Sequence, residues 1–383
     1  IPTSSDAEKN KLDIGTVPTF YSYNPTEGNR LRLTLATTKN FHPRLYLYGY
    51  GAYGTRDNTF KYYGEATWAL NKIKDHKDEF PKHNISIAYK YNIIMSLRSS
   101  NNEKLTYNRQ TQIAYQKEYY SGFSFKLSGQ TFHERPAANL IFEKMDKDGN
   151  KYTIDNISTS EASLALRYAP NEKFFQHRRK RYSMPSQKTE FNLSHTIALK
   201  SFGGDYHYNK TSFSALKEVW IAPFGKFTAS VQAEKVWGEV PFPLLITPSA
   251  NNSYTIQKGN YYLIEPLEFV HDSQVAWEVY YHMGGWLFNR IPLLKSLKLR
   301  EVFGFRGFLG HLSDRNNPSY NRDLLLFPQA TYMTTKGKPY MEYNIGIENI
   351  FKVLRVDYVR RINYLGHPDI DKHGFRIAFD LNF

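Results

Sequence analysis

Cysteine is absent from all 383 residues. That removes disulfides and thiolate metal sites, and it leaves the redox compartment unreadable. Long apolar runs are absent too. No window approaches the roughly 18 to 20 uninterrupted apolar residues of a spanning helix, which excludes a helical membrane protein. A β-barrel survives that test, because alternating strands dilute hydropathy; apolar residues are 41% of the chain and mean hydropathy is −0.58. There is no glycine-rich phosphate loop, no Gly-x-Ser-x-Gly context and no histidine pair at helical metal-ligand spacing beside a carboxylate. The opening Ile1-Pro-Thr-Ser-Ser-Asp6 shows neither an initiator methionine nor a secretory leader, which predicts a mature or truncated piece whose N-terminal domain is out of view.

What the chain has in quantity is aromatic residues and positive charge. Tyr (30) and Phe (26) lift the aromatic share to 16%, as interfacial rings would, although soluble β-proteins and carbohydrate binders share that bias. The net charge is +14 and the pI about 9.4. Lys and Arg are scattered along strands and turns, with one dense run at His177–Arg181, so nucleic acid is not the expected partner. A basic lumen or lipopolysaccharide-facing loops account for the charge better.

The last ten residues carry the clearest pattern. Phe375, Ile377, Phe379, Leu381 and Phe383 fall on one face, and Arg376, Ala378, Asp380 and Asn382 on the other. The same alternation recurs in about sixteen segments, from Arg30–Thr38 to Gly374–Phe383, with Lys258–Val270 among them. Sixteen strands over this length leave about 24 residues per strand and connection, the economy of strands joined by short turns on one side and longer loops on the other. The expected fold is all-β, a transmembrane antiparallel β-barrel of about sixteen strands closed by the C-terminal strand. A two-sheet soluble sandwich is the competing architecture. Residues 1–29 are expected to be a lead-in and 30–383 the barrel. A charge facing lipid at mid-membrane costs about 2–4 kcal/mol, so Arg32, Arg306, Arg355, Asp357, Arg376 and Asp380 are expected to face the lumen. The first and last strands would form a lateral seam lined by Leu31, Leu33, Leu35, Phe375, Ile377, Phe379, Leu381 and Phe383.

Two long stretches alternate poorly, Pro170 to Gln187 and Pro241 to Gln257, and both are expected to fold over a mouth or into the lumen. Asp146-Lys-Asp-Gly-Asn150 has a calcium-loop flavour, but its glycine comes early and no acid follows at the twelfth position, so a plain turn is expected. His271-Asp272-Ser273 is compact, yet neighbours on an extended strand point to opposite faces and would not converge. His195 follows Ser194, again outside a nucleophile-elbow context. His367-Pro-Asp-Ile-Asp-Lys-His373 gathers two His and two Asp in one connection, where a solvated turn is the expectation. No catalytic residue, metal or cofactor is expected.

The segment Tyr343-Asn-Ile-Gly-Ile-Glu-Asn-Ile-Phe-Lys-Val-Leu-Arg-Val-Asp-Tyr358 resembles the penultimate hairpin of the BamA/TamA/FhaC outer-membrane insertase superfamily. Gly15–Gly28, Gly238–Leu245, Leu287–Leu294 and Leu312–Pro318 resemble a Bacteroidota outer-membrane family whose members usually carry a carboxypeptidase-regulatory-like domain ahead of the barrel. The resemblance implies an integral outer-membrane barrel acting in, or beside, the machinery that assembles or translocates outer-membrane proteins, with lipid, lipopolysaccharide and other envelope proteins as partners. A pore with a basic lumen, or a scaffold anchoring a periplasmic domain, are the alternatives. The superfamily places a Val/Ile-Arg-Gly-Phe/Tyr motif on a loop inside the lumen. Here Phe305-Arg306-Gly307-Phe308 carries those letters within an expected strand, and Arg306 is read as an ordinary inward-pointing arginine.

Overall fold

In a computed structural model, the described residues are 2–3, 9–24, 26–71, 78–98, 103–138, 140–176, 181–184, 187–251, 253–368 and 370–379. Apart from two separate two-stranded hairpins, Glu143–Met145 with Lys151–Thr153 and Phe174–Gln176 with Arg181–Ser183, they form one antiparallel sheet of seventeen strands. In chain order these are β1 (Leu12–Ile14), β2 (Tyr21–Asn24), β3 (Gly28–Thr37), β4 (Leu45–Gly54), β5 (Phe60–Ala69), β6 (His83–Arg98), β7 (Glu103–Glu118), β8 (Phe123–Ala138), β9 (Ile157–Tyr168), β10 (Thr189–Leu199), β11 (Tyr208–Ile221), β12 (Gly225–Gly238), β13 (Ser273–His282), β14 (Arg300–His311), β15 (Tyr340–Ile350), β16 (Leu354–Arg361) and β17 (His373–Phe379). From β3 onward each strand pairs with the next. β1 and β2 lie in line along one edge of β3, separated by the 3₁₀ turn Val17–Thr19, so they make a single interrupted stave. Sixteen staves result.

Alternation puts the apolar residues outside. Leu31, Leu33, Ile87, Ile113, Phe375 and Phe379 are exposed, while Ser128, Ser163 and Gln130 on the intervening positions bond to one another or to Glu161 across the inner face. An outward apolar and inward polar wall suits a lipid surround and would waste its hydrophobic area in water.

Four expectations need correction. Residues 1–29 are not merely a lead-in, since they supply β1 and β2; the proline at position 18 breaks the stave into pieces too short for a strand pattern to register. Leu31, Leu33 and Leu35 lie on β3, which is paired on both sides, so they are not at the seam. Lys258–Val270 is not a strand. Gly259 and Leu267 have positive φ, Pro266 interrupts, and Tyr261 to Ile264 are buried whichever way they point. One missed stave and one surplus strand leave the count at sixteen. The sheet also does not close: among the described residues, β17 makes no ladder with β1 or β2. Asp380, Leu381 and Phe383 lie outside the described residues, as do positions 177–180 of the basic run.

The connections divide by length. On one end of the sheet lie the long ones, 139–156, 239–272, 312–339 and 362–372. The other end has shorter turns apart from 70–82, 169–188 and 283–299. Leu140, Phe142, Val240, Phe242, Leu245, Leu267, Val270, Leu312 and Leu325 come mainly from the long connections and pack as one buried cluster. That cluster lids the mouth.

Candidate functional site

The connection 239–272 does more than cover the mouth. Ile246 and His271 exchange backbone hydrogen bonds of 2.8 and 2.9 Å, which pinches the loop into a neck. The residues between them descend along the inner face of the last four strands. Each of those strands presents one charged side chain to the loop backbone. Arg306 on β14 donates to the Asn260 carbonyl. Glu342 on β15 accepts from the amides of Tyr262 (2.8 Å) and Leu263 (3.1 Å). Arg361 on β16 donates to the Leu263 carbonyl at 3.0 Å, and Arg376 on β17 donates to that of Tyr262. Four staves thus hold a single stretch of four residues. Backbone polar groups buried here have no water to bond, so the clamp supplies the partners they need.

The charges balance locally. Arg361 also pairs with Glu268 (2.5 Å), which meets His367 at 2.6 Å. Arg355 forms a two-pronged pair with Asp357 at 2.7 and 2.8 Å, and Asn344 bridges Asp357 to Arg306. Glu278 lies 3.4 Å from Arg306. Four guanidinium groups face four carboxylates, all half-buried or buried. Arg306 also sits 4.0 Å above the Tyr262 ring, and Tyr261 packs on Phe308 and Tyr340. Close approach decides one glycine: a Cβ at Gly346 would stand 2.0 Å from Asp357 Oδ1.

Below the clamp, the loop reaches the sheet's free edge. Ile377 of β17 donates its amide to the Tyr254 carbonyl at 2.7 Å, and its carbonyl accepts from the Ile256 amide at 2.7 Å. Thr255 is thereby a parallel bridge partner of Ile377, in the place a first strand would take in a sealed barrel. The opposite edge has a cover of its own, because Thr3 donates to the Leu12 carbonyl at 3.1 Å and Pro2 bridges Asp13.

Of the residues singled out from the sequence, Arg306, Arg355, Asp357 and Arg376 meet in this network. Arg32 lies apart, on the inner face of β3 over the Tyr50 ring at 3.8 Å and bonded to Tyr48. Phe375 and Phe379 point outward from the edge strand. Glu342 and Arg361 were not singled out; Tyr254–Ile256 belongs to the Pro241–Gln257 stretch expected over a mouth or in the lumen, and the clamped residues and Glu268 come from Lys258–Val270, expected as a strand. Glu342 and Arg361 had a readable signal, since each shares its strand's inward parity with Asn344 or Asp357. Arg306 keeps the expected inward direction and grips the loop from the wall. His271 bonds Gln274 (3.1 Å) and Thr334 (3.2 Å), not Ser273. Burial, which outweighs the other influences, lowers its pKa to about 4. Burial alone would raise Asp272, yet hydrogen bonds from Ser313, Asn316 and Lys235 bring it to about 2. Both act as struts of the mouth lid. His195 faces outward and bonds Thr211. Asp146 spends its carboxylate on the amides of its own turn, at 2.9 Å to Asp148 and 2.8 Å to Asn150.

The model of the family described as "Family of unknown function (DUF5686) C-terminal domain" matches residues 3–321. No curated protein matches the sequence. Among solved structures, BamA from Haemophilus ducreyi lacking POTRA domains 1–3 is similar with a TM-score of 0.60 at 11% identity, over 96% of this chain and 70% of that one. CdiB from Acinetobacter baumannii gives 0.41 at 9% identity, over 96% and 58% of the two chains. The outer-membrane protein OprD from Pseudomonas aeruginosa gives 0.38 at 10% identity, over 97% and 92%. The similarity to BamA gives the fold as that of an outer-membrane β-barrel, with its sheet left open, and the chain belongs to the DUF5686 C-terminal-domain family.

Proposed function

We propose that this family member sits in the outer membrane and works in the assembly or translocation of other envelope proteins, through a seam that opens between β1/β2 and β17. The observation that carries the reading is the state of the last strand. Its outer edge bonds to Tyr254–Ile256 of the same chain and not to the first stave. A strand edge held by a short, exchangeable segment is a template for an incoming strand, because unpaired backbone groups seek partners. The BamA-like fold supports the same reading. The long loops would face the cell exterior, as in outer-membrane barrels generally. Against a pore stand the lid across the mouth and the clamped loop within.

The absence of cysteine gives the test a clean background. Cysteine pairs joining Tyr21 or Tyr23 to Phe375 or Phe379 would lock the seam. The readout is the folding of a urea-unfolded small barrel into liposomes that contain the protein. Oxidation is expected to abolish the acceleration and reduction to restore it. Equal acceleration by locked and unlocked protein would sink the proposal.

A further inference from the structure

The register of β5 to β9 lines up a second feature, on the outer wall and far from the plug. Tyr62, Tyr91, Arg109, His133 and Ser158 are successive cross-strand partners, one row across five strands. Tyr107 and Arg135 face each other in the next row, toward the end that carries the long connections. Four residues the other way along the strands, the row reads Ala66, Ile87, Ile113, Gly129 and Ala162, and two further on Trp68, Ile85, Tyr115, Leu127 and Leu164. Side chains of one parity share a face, so the cationic rows stand directly above the apolar ones. Lys117 marks the lower limit. From Lys117 to Arg109 is eight residues, about 27 Å along the strand and about 20 Å of height at a tilt near 40°. That is close to the apolar band of roughly 25 Å that such barrels present to lipid.

We propose that this row is a binding site for a phosphorylated outer-leaflet lipid headgroup. Tyr91, Tyr107, Arg109, His133, Arg135 and Asn156 line a cleft of about 230 Å³. Arg109, His133 and Arg135 are exposed, and among the described residues neither guanidinium makes an ion pair. The tyrosines are fixed: Tyr91 stacks on Tyr107 at 6.0 Å and 15°, and meets Tyr62 at 5.8 Å with the rings tilted by 40°. His133 is oriented by Ser158 at 2.8 Å. Two nearby acidic groups are turned away or neutralised, while Asp155, beside Asn156, is exposed. Glu134 points inward and bonds Thr106, while Asp57, which holds the Tyr107 hydroxyl at 2.8 Å, is paired with Lys61 at 2.6 Å. Two cations and an imidazole above an apolar wall match a lipid whose phosphates lie at the headgroup level and whose acyl chains run down the wall. A soluble anion would gain nothing from the isoleucines below.

The inference rests on the outer-membrane placement but not on the seam, and lipid binding is read without any assembly assay, so either can fail alone. The test is native mass spectrometry of the full chain in detergent with bisphosphorylated lipid A as probe. Each basic residue near an anionic surface contributes about 1 kcal/mol, so Arg109→Gln with Arg135→Gln is expected to weaken binding about 30-fold. Arg109→Lys with Arg135→Lys, which keeps the charge, should stay within a few-fold of the parent. Unchanged binding by the glutamine variant would overturn the site. Displacement of the lipid by excess inorganic phosphate alone would overturn its assignment to a lipid. Heat-dependent gel mobility identical to the parent confirms that each variant is folded.

Discussion

Replacing Glu342 with Gln tests whether the clamp or the surrounding packing holds the plug. Glu342 is fully buried, and its two oxygens accept from the amides of Tyr262 and Leu263 and from the Tyr340 hydroxyl, with Arg306 Nε 3.6 Å away. Glutamine keeps the shape. Its single oxygen preserves one amide bond, and its NH₂ then confronts the other amide donor. Hydrogen bonds to a charged group are worth about 1.5–3 kcal/mol, and Arg306 loses a counter-ion, so about 3 kcal/mol of local stability should go. At tenfold per 1.4 kcal/mol, amide exchange in residues 258–268 should speed up roughly a hundredfold by local opening. Strands β5–β8 should exchange as before. Tyr340→Phe removes one hydroxyl bond only and should give a fewfold change. Hydrogen-exchange mass spectrometry in detergent reads both. If residues 258–268 exchange equally slowly in Glu342→Gln and parent, the aromatic packing of Tyr261 and Tyr262 holds the plug and the clamp is incidental.

Three further outcomes are expected. His271 has its pKa lowered to about 4 in the folded chain. Its contribution is therefore whole above pH 6.5 and lost as the pH falls toward 4, up to about 3 kcal/mol; His271→Gln should flatten the pH dependence of thermal unfolding over that window. Asp272 is depressed to about 2, so its contribution is whole above pH 3.8 and disappears as the pH falls through 2, a second, more acidic loss that His271→Gln leaves intact. Gly346→Ala places a methyl against Asp357 and should disrupt its pair with Arg355, at about 3 kcal/mol for a buried pair, read as a lower temperature of heat modification on gels. Ile256→Pro removes the amide that meets the Ile377 carbonyl while leaving the clamp alone, so the Ile377 amide, which bonds the Tyr254 carbonyl, should exchange faster, by roughly fivefold for a bond worth about 1 kcal/mol.

The wall was legible because its code is local. Alternation with period two, read with the cost of a lipid-facing charge, fixes which way Arg355, Asp357 and Arg376 point without reference to any distant residue. The plug was not legible, because its pattern is not local. Tyr261, Tyr262, Leu263 and Ile264 form an apolar run that resembles a strand until one knows that β14 to β17 surround it. The seam fell between the two cases. Its C-terminal edge follows from the pattern ending at Phe379 and beyond, whereas its N-terminal edge is split by a 3₁₀ turn into three- and four-residue pieces below the length at which alternation is informative.

The interrupted first stave has a consequence for the molecule's neighbours. A continuous bare edge would let two copies add side by side into a growing ribbon, the hazard that open sheets carry. Here the row of backbone donors is broken at Val17–Thr19, where the proline has no N–H to offer, and Thr3 occupies the Leu12 carbonyl. On the far side, Tyr254 and Ile256 occupy the Ile377 groups. Neither edge therefore presents an uninterrupted row of backbone donors and acceptors to a second copy, although the sheet is open.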